Sequence, residues 1–229
     1  MHLEILHHDD DLVAINKPHN LLVHKSRISA QDTVFALQLL RDQIGKYLYP
    51  IHRLDRKTSG VLIFGLSKEA AAGVHNQIQS GEITKTYLAI CRGHLPEAEM
   101  TIDYPLTNDR GKTQDAITHL KTLKESELDI PYGKYQTSRY SLVEATPKTG
   151  RYHQIRKHLK HIFHPIIGDR PHGCSKQNRL FLERWEMGTM LLHAAELKCK
   201  HPSTGESMVI QADLSEEYKR MLIELELED

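Results

Sequence analysis

The sequence predicts a mixed α/β fold, of the α+β kind, whose sheet is mostly antiparallel. Short apolar runs typical of strands recur along the chain, and amphipathic helices separate only some of them. A doubly wound parallel sheet needs a crossover, usually a helix, between its successive strands. Successive strands without a helix between them therefore indicate antiparallel pairing.

Three elements are predicted in the first third of the chain. A strand over Leu12–Ile15 ends before Pro18, because proline bars helical angles at the preceding residue and donates no ladder hydrogen bond. Asp32 is the predicted N-cap of a helix that ends at Gly45. The short, continuously apolar run Val61–Leu66 predicts a strand that is buried on both faces.

The next helix is predicted from its cap and its apolar face. Ser67 is a good N-cap, and Ala70, Val74 and Ile78 then share one face until Gly81 ends the pattern. The remaining elements are strands at Thr84–Cys91, Arg139–Ala145, Met190–Cys199 and Met208–Gln211, and a last helix from about Ser215, capped by Asp213 or Ser215.

Composition is that of a folded globular protein. Of 229 residues, 39% are hydrophobic and 26% are charged, which is too apolar for a disordered chain. The apolar runs are too short to cross a bilayer, so we expect a cytoplasmic protein without membrane contact. Cys91, Cys174 and Cys199 form no CxxC pair, which argues against disulfides and a cysteine zinc site.

Charge is balanced overall, with 30 Lys+Arg against 30 Asp+Glu, but it is unevenly distributed. Residues 148–164 contain five basic residues, four histidines and no acid. In this segment Ile155, Leu159 and Ile162 predict an amphipathic helix over Tyr152–Phe163, with Arg156 at the half-buried edge of the apolar stripe. The basic segment is either a solvated helix face or a phosphate-binding surface, and the neighbouring motifs favour the second interpretation.

The most informative motif lies in the loop before the predicted strand Val61–Leu66. It reads HRLDRKTSG over residues 52–60. A single Asp such as Asp55 beside arginines is usually a surface ion pair worth about 0–1 kcal/mol. The complete run, however, resembles the HRLDxxTSG motif of the pseudouridine synthase family that modifies ribosomal and transfer RNA, at every fixed position.

Other segments resemble motifs of the same family, in the same order, over roughly residues 3–212. They are NKPHNLLVH at 16–24, KTYLA at 85–89 followed by Gly93, PKTGRYHQIR at 147–156, HPIIGD at 164–169, and LHA at 192–194 followed by HP at 201–202. One departure is Asn20, which stands where the family has glycine. Because Asn tolerates left-handed backbone angles better than other non-glycine residues, we expect the turn to survive.

The resemblance implies a pseudouridine synthase catalytic fold, a bent mixed sheet with a central RNA-binding cleft. Residues 1–229 are expected to form a single catalytic domain and to act as a monomer. Some members of the family carry an additional N-terminal RNA-binding domain of the S4-like type. Because the motifs here begin almost at Met1, we expect that domain to be absent.

Isomerisation of uridine breaks the C1′–N1 bond, rotates the uracil and rejoins it through C5, so it needs no cofactor and no metal. The resemblance implies that Asp55 is the catalytic carboxylate, which attacks the sugar or base or removes a sugar proton; both routes remain open. Arg156 would pair with this carboxylate and keep it ionised. Tyr87 would stack on the uracil, and Arg53 would fill the space left by the flipped nucleotide.

Further motif residues are implied to contact RNA, either tRNA or rRNA. They are His52, Arg53, Thr58, Ser59, Lys85, Arg151, His153, Ile155, Lys157 and Lys160. The four histidines between residues 153 and 164 lack the i, i+4 pair around a glutamate that zinc proteases use. We therefore expect no metal site there, and most of these histidines should be phosphate contacts or surface residues.

Three weaker resemblances concern the RNA that is modified. Residues 41–45, 116–119 and 169–179 resemble a subgroup of the family that acts on uridine 65 of tRNA. One alternative is a synthase for ribosomal RNA or for several RNAs. Another is an RNA-binding or RNA-chaperone protein with a secondary catalytic role, against which the intact Asp55, Tyr87 and Arg156 count. A glycoside hydrolase is disfavoured, since that chemistry generally needs two carboxylates.

Overall fold

The computed structural model describes residues 1–24, 34–108 and 110–228, which form twelve strands and five helices. The strands are β1 Glu4–His8, β2 Leu12–Lys17, β3 Tyr49–Pro50, β4 Ser59–Gly65, β5 Thr84–Arg92, β6 Glu99–Asp103, β7 Leu106–Thr107, β8 Thr113–Gln114, β9 Ile117–Leu128, β10 Ser138–Pro147, β11 Leu192–Lys200 and β12 Ser207–Gln211. The helices are α1 Ala36–Ile44, α2 Lys68–Ser80, α3 Gln154–His161, α4 Ser175–Trp185 and α5 Glu216–Glu224. None of these helices is long and apolar enough to span a membrane.

The chain divides into two compact units. Unit 1 contains Met1–Lys85 and His193–Asp213, and unit 2 contains Thr86–Leu192 and Leu214–Asp229. The chain crosses from one unit to the other three times. Two of these crossings fall within the strands β5 and β11, so no Gly- or Pro-rich linker marks them in the sequence. That residues 1–229 act as one catalytic domain stays a prediction.

In unit 1 the strand order is β1-β2-β4-β11. The pairs β1/β2 and β2/β4 are antiparallel, β4 and β11 run parallel, and β12 and β3 pair antiparallel with β11 and β4. All seven residues of β4 are buried, which confirms the doubly buried strand predicted there. Lys17, the last residue of β2, lies opposite Gly60 on β4, next to the loop that contains Asp55.

The helices of unit 1 follow their predicted caps where the structure describes them. The Ser67 hydroxyl accepts a hydrogen bond from the Ala70 amide at 3.0 Å, and Gly81 ends α2 in the left-handed region. Gly45 ends α1 in the same conformation. The predicted N-cap Asp32 lies outside the described residues, and Ala36 is the first helical residue of α1.

Unit 2 contains the strand order β5-β10-β9-β6, in which the pairs are antiparallel, together with the hairpin β7/β8. Strand pairing in the two units therefore confirms the mixed, mostly antiparallel α/β fold. The twelve-residue β9 was not predicted. Its more buried positions include Thr122, Lys124 and Ser126, so the alternation of apolar and polar residues is weak.

The helices of unit 2 include one that begins later than predicted and one that was missed. Helix α3 begins at Gln154 because His153 has a φ of 57°, and the Gln154 side chain accepts a hydrogen bond from the Arg151 amide at 3.0 Å. Helix α4 buries few residues, and one of them is a glutamine, so its sequence has no clear apolar stripe. Ser215 caps α5, as one of the two predicted alternatives.

We expect Gly60→Ala to destabilise the protein more than Gly45→Ala. Gly60 has a φ of 105°, and a Cβ there would lie 2.2 Å from the Ala194 carbonyl oxygen. Gly45 has a φ of 68° with open space around it, so alanine there adds only backbone strain of about 1–2 kcal/mol. The Gly60 change should lower the free energy of unfolding in urea by about 3 kcal/mol or more. Equal losses in the two variants would contradict this packing.

Candidate active site

Asp55 lies in a tight turn directly before β4. The Thr58 amide donates to the Asp55 carbonyl at 3.1 Å, which closes the turn. Leu54 is 5% exposed and Thr58 is 2% exposed, so both flanks of the turn are anchored in the interior. The Asp55 side chain is half-buried, whereas Arg53 and Arg56 are exposed. The turn therefore presents one carboxylate among cationic side chains.

The buried side chain of Lys17 fixes this turn through hydrogen bonds to backbone carbonyls. Its side chain is fully buried, and Nζ donates to the carbonyls of Pro18 at 2.8 Å, Leu21 at 2.9 Å and Arg56 at 3.2 Å. Burial lowers the pKa of Lys17 to about 7, and the Asp55 carboxylate opposes that shift. In the sequence, Lys17 stood out only as part of the motif at residues 16–24, and no separate role was predicted for it. A lysine that ends an apolar strand is the feature that could have indicated its burial.

Asn20 adds a second link between the same two loops. Its φ is 65°, which confirms that asparagine adopts the left-handed turn expected at this position. Its side-chain Oδ1 accepts from Arg56 Nε at 2.9 Å, and its carbonyl accepts from the same atom at 3.3 Å. A glycine has no side chain to make the first of these bonds. The departure from the family motif therefore preserves the turn and ties it to the loop that contains Asp55.

His52, at the start of the motif, is neutral in the folded protein. Burial and the nearby Lys85 charge lower the pKa of His52 to about 3. Its Nε2 accepts a hydrogen bond from the Ile63 amide at 3.4 Å, a bond that requires the unprotonated nitrogen. Burial also lowers the pKa of Lys85. These two predicted RNA-binding residues thus lie near each other in unit 1, and their contact with RNA stays a prediction.

Ser59 links β4 to β11. His193 Nε2 donates to the Ala212 carbonyl at 3.0 Å, so its Nδ1 accepts from the Ser59 hydroxyl at 2.9 Å. Burial lowers the pKa of His193, which is consistent with this neutral form. Ser59 is 7% exposed, so its hydroxyl holds the sheet together beneath the turn. RNA contacts from Thr58 and Ser59 stay predictions.

In unit 2, Arg156 makes a buried bidentate ion pair with Asp169. Nε lies 2.7 Å from Oδ2 and Nη2 lies 2.8 Å from Oδ1, and the two side chains are 6% and 1% exposed. Burial would raise the pKa of Asp169, but the hydrogen bonds and charge of Arg156 outweigh it and lower that pKa. The half-buried edge position predicted for Arg156 was wrong, because Asp169 allows the guanidinium to lie in the interior. Pairing of Arg156 with Asp55 stays a prediction.

Tyr87 lies half-buried on β5, opposite Ala145 of β10. It packs against a hydrophobic cluster that contains Ile155 and Leu159 of α3. Ile155 is 6% exposed, so its main contacts are in this core. The predicted catalytic Tyr87 and the predicted RNA-binding Ile155 thus belong to one packed region of unit 2.

The basic segment 148–164 is held partly by its own contacts. Arg151 Nε donates to the Asp115 carbonyl at 2.9 Å. Lys157 Nζ donates to the Thr107 carbonyl at 3.1 Å and lies 5.5 Å from the centroid of the Tyr152 ring. Lys160 is exposed. Each of these cations reaches the surface of unit 2, and their phosphate contacts stay predictions.

Three of the four histidines of this segment make hydrogen bonds within the protein. His158 is fully buried, with Nδ1 2.9 Å from Thr118 Oγ1 and Nε2 donating to the Tyr104 carbonyl at 3.0 Å, so it is not one of the surface histidines expected here. His153 Nδ1 lies 2.9 Å from His172 Nε2. His164 Nδ1 donates to the Arg92 carbonyl at 3.0 Å. Among the residues described, no three His, Cys, Asp or Glu side chains cluster as metal ligands would.

The fold and the motif-bearing turns define an enzyme that isomerises uridine in RNA. A family model described as RNA pseudouridylate synthase matches residues 11–161, more than half of the chain. The chain therefore belongs to the RNA pseudouridylate synthase family, and it is an isomerase.

Individual relatives show which members of the pseudouridylate synthase family this chain is similar to. The chain is 45% identical to the tRNA pseudouridine synthase C of Vibrio cholerae serotype O1, over 97% of this chain and 95% of that protein. It is 44% identical to the tRNA pseudouridine synthase C of Haemophilus influenzae, over 96% of each chain. Among solved structures it is similar to human RNA Pseudouridylate Synthase Domain Containing 4, with a TM-score of 0.75, 25% identity, and coverage of 97% and 93% of the two chains.

The lowered pKa of His52 predicts a specific loss of stability in acid. Below pH 6.5 the unfolded chain protonates His52, but the folded chain does not until about pH 3, so stability is lost as pH falls through that window. In His52→Gln, the amide can still accept from Ile63 but does not titrate. The unfolding free energy of the wild type should fall relative to this variant by up to about 1.4 kcal/mol per pH unit. Parallel pH curves in urea denaturation would contradict the assignment.

Asp169→Asn should destabilise the protein strongly, because it leaves the buried Arg156 charge without its counter-ion. The expected loss in unfolding free energy is about 3–5 kcal/mol. Glu127→Gln is the matched control. Its partner Arg139 makes a similar bidentate pair at 2.9 and 3.2 Å, but both side chains are exposed.

That control should change the unfolding free energy by at most about 1 kcal/mol. Urea denaturation of both variants measures the difference. If Asp169→Asn cost no more than Glu127→Gln, the burial of the Arg156 pair would not carry the energy assigned to it.

Proposed function

We propose that the chain converts uridine 65 of tRNA to pseudouridine. The observation that carries the proposal is its 45% identity to a tRNA pseudouridine synthase C over nearly the whole length of both proteins. The segments 41–45, 116–119 and 169–179 support the same subgroup. A tRNA substrate implies action in the cytoplasm, and we propose that the enzyme acts as a monomer.

Asp55 is the proposed catalytic residue. A half-buried carboxylate in a turn fixed by Lys17 suits a group that must meet one ribose or base in a defined orientation. The C1′–N1 bond breaks, the uracil rotates and a C1′–C5 bond forms, while C5 loses its proton to solvent and N1 gains one. No electrons are gained or lost. Asp55 acts either by adding to the substrate or by removing a sugar proton, and both routes use the ionised carboxylate.

The proposed roles of the other site residues are those that the family resemblance implies, and their chemistry suits them. Tyr87 stacks on the uracil, a contact worth about 1–3 kcal/mol in comparable sites. Arg53, which is exposed, fills the space left when the uridine leaves its helix. Arg156 supplies positive charge for the carboxylate, and Asp169 keeps its guanidinium in a fixed plane. Lys157 and Lys160 contact phosphates.

Two alternative functions differ from this proposal, one in the RNA that is modified and the other in how far the function depends on catalysis. A synthase for ribosomal RNA or for several RNAs uses the same residues on other transcripts. An RNA chaperone with a secondary catalytic role binds RNA without needing a fast Asp55-dependent step. The identity to tRNA-named relatives favours the tRNA substrate over both.

Tritium release from C5-labelled uridine tests the substrate. We expect release from a tRNA transcript and loss of about one equivalent when uridine 65 is replaced by cytidine with its stem pairing restored. A transcript with the same replacement at another stem uridine is the control and should react fully. Undiminished release without uridine 65 would contradict the proposed position, and release only from ribosomal RNA would contradict the proposed substrate.

A further inference from the structure

Unit 2 contains a pocket whose lining includes none of the residues assigned to isomerisation. Its volume is about 410 Å³, which is within the range of about 300–1,000 Å³ for sites that bind small organic groups. Its lining includes Arg92, Tyr132, Tyr135, Ser138, Arg139 and Gln177. None of these six residues has a place in the proposed isomerisation.

Two tyrosines of the pocket are held on one short turn. The amide of Tyr132 donates to the Tyr135 carbonyl at 2.9 Å, and the amide of Tyr135 donates to the Tyr132 carbonyl at 3.1 Å. Gly133 within the turn has a φ of 61°. Tyr135 is 56% exposed, and Tyr132 is half-buried. Aromatic rings on a constrained turn, one exposed and one half-buried, are suited to stacking with a planar group.

Cationic side chains surround these rings. The Arg92 guanidinium lies 5.4 Å from the centre of the Tyr132 ring, and Lys134 Nζ lies 5.4 Å from that of Tyr135. Among residues 1–24, 34–108 and 110–228, Arg92 forms no ion pair with a carboxylate. Arg139 is paired with Glu127, but this pair is exposed and can exchange for a phosphate at little cost.

Gln177 supplies a polar group from the wall of the pocket. It is 2% exposed, and its Oε1 accepts from the Tyr140 hydroxyl at 3.1 Å. Its amide nitrogen makes no hydrogen bond within the described chain, so two donors remain available to a bound molecule. Gln177 also belongs to the segment 169–179, which resembles the tRNA-modifying subgroup. The proposed catalytic roles do not involve Gln177 and so do not explain its place in that segment.

Stacking rings, guanidinium groups and an amide donor together match a nucleotide. The rings fit a base, the cations fit its phosphate, and the amide fits a carbonyl or ring nitrogen on the base edge. Arg92 follows Tyr87 by five residues on β5, which places their Cα atoms about 17 Å apart along the strand. A nucleotide in this pocket is therefore a different one from the uridine that Tyr87 is proposed to stack on.

We propose that this pocket binds one unpaired nucleotide of the RNA substrate, at a distance from the isomerised uridine. Bases inside a continuous helix are stacked on each other, so a pocket of this kind selects RNAs with a loop base free to enter. The inference rests on the proposed function, because tRNA supplies such loop bases in a fixed position relative to its stems.

The test uses the full chain with Arg92→Gln and Tyr135→Ala combined. We expect Kd for tRNA in filter binding and KM in tritium release to rise by about 5- to 100-fold, the loss of one stacked base, with kcat within about twofold. The slope of log K against log salt should flatten by about 0.7 for the lost phosphate contact. Tyr135→Phe, which keeps the ring, should bind like the wild type.

The matched control is Arg184→Gln combined with Tyr47→Ala, which also removes one exposed arginine and one exposed ring. Tyr47 is 59% exposed, and neither residue lines the pocket or has a proposed RNA contact. It should change Kd by less than about twofold. Equal Kd values for the pocket and control variants would overturn the proposal. If the pocket variant unfolds, Tyr135→Ala alone decides, since that residue is exposed.

Failure of the proposed function is distinguishable from failure of this inference. If tRNA released no tritium with the wild type, the proposed substrate would be wrong, yet the filter-binding comparison would still decide the pocket. If tRNA reacted fully but the pocket variant matched the control in Kd and KM, the proposed function would stand and the pocket proposal would fall.

Discussion

The buried ammonium group of Lys17 is the interaction on which the Asp55 turn depends. A charge in the interior costs several kcal/mol unless its hydrogen bonds are satisfied, and three backbone carbonyls satisfy the three donors of Lys17. Two of these carbonyls belong to residues 18–21 and the third to Arg56. Neither loop can move without leaving a buried donor unpaired, so the position of Asp55 is tied to the strand that ends at Lys17.

The same physical device recurs in unit 2. Arg156 and Asp169 neutralise each other in the interior, and the bidentate geometry fixes the plane of the guanidinium. In both units a side chain with a proposed catalytic role is thus held by a buried charge rather than by apolar packing alone. Burial of these charges costs stability, but it supplies the fixed geometry that the proposed roles require.

Sequence patterns predicted the parts of this structure that depend on local chemistry. The Ser67 cap, the Gly45 terminus and the buried β4 follow from neighbouring residues alone, and the motif located Asp55 within its loop. Such local patterns do not predict contacts between residues that are distant in sequence. The partner of Arg156 is thirteen residues away on a loop, and β9 keeps polar residues at its more buried positions. The burial of His158 was not predicted, because its polar partners, Thr118 and Tyr104, are distant in sequence.

The most direct test is the single-turnover rate of tritium release by Asp55→Asn, compared with Asp10→Asn. Asp10 is an exposed carboxylate in the turn between β1 and β2, so its replacement controls for the loss of one charge. If Asp55 is the catalytic carboxylate, Asp55→Asn lowers the rate by a factor on the order of 10³ or more, while Kd for tRNA stays within about twofold. Asp10→Asn should leave both unchanged. A wild-type rate in Asp55→Asn would contradict the catalytic role of Asp55.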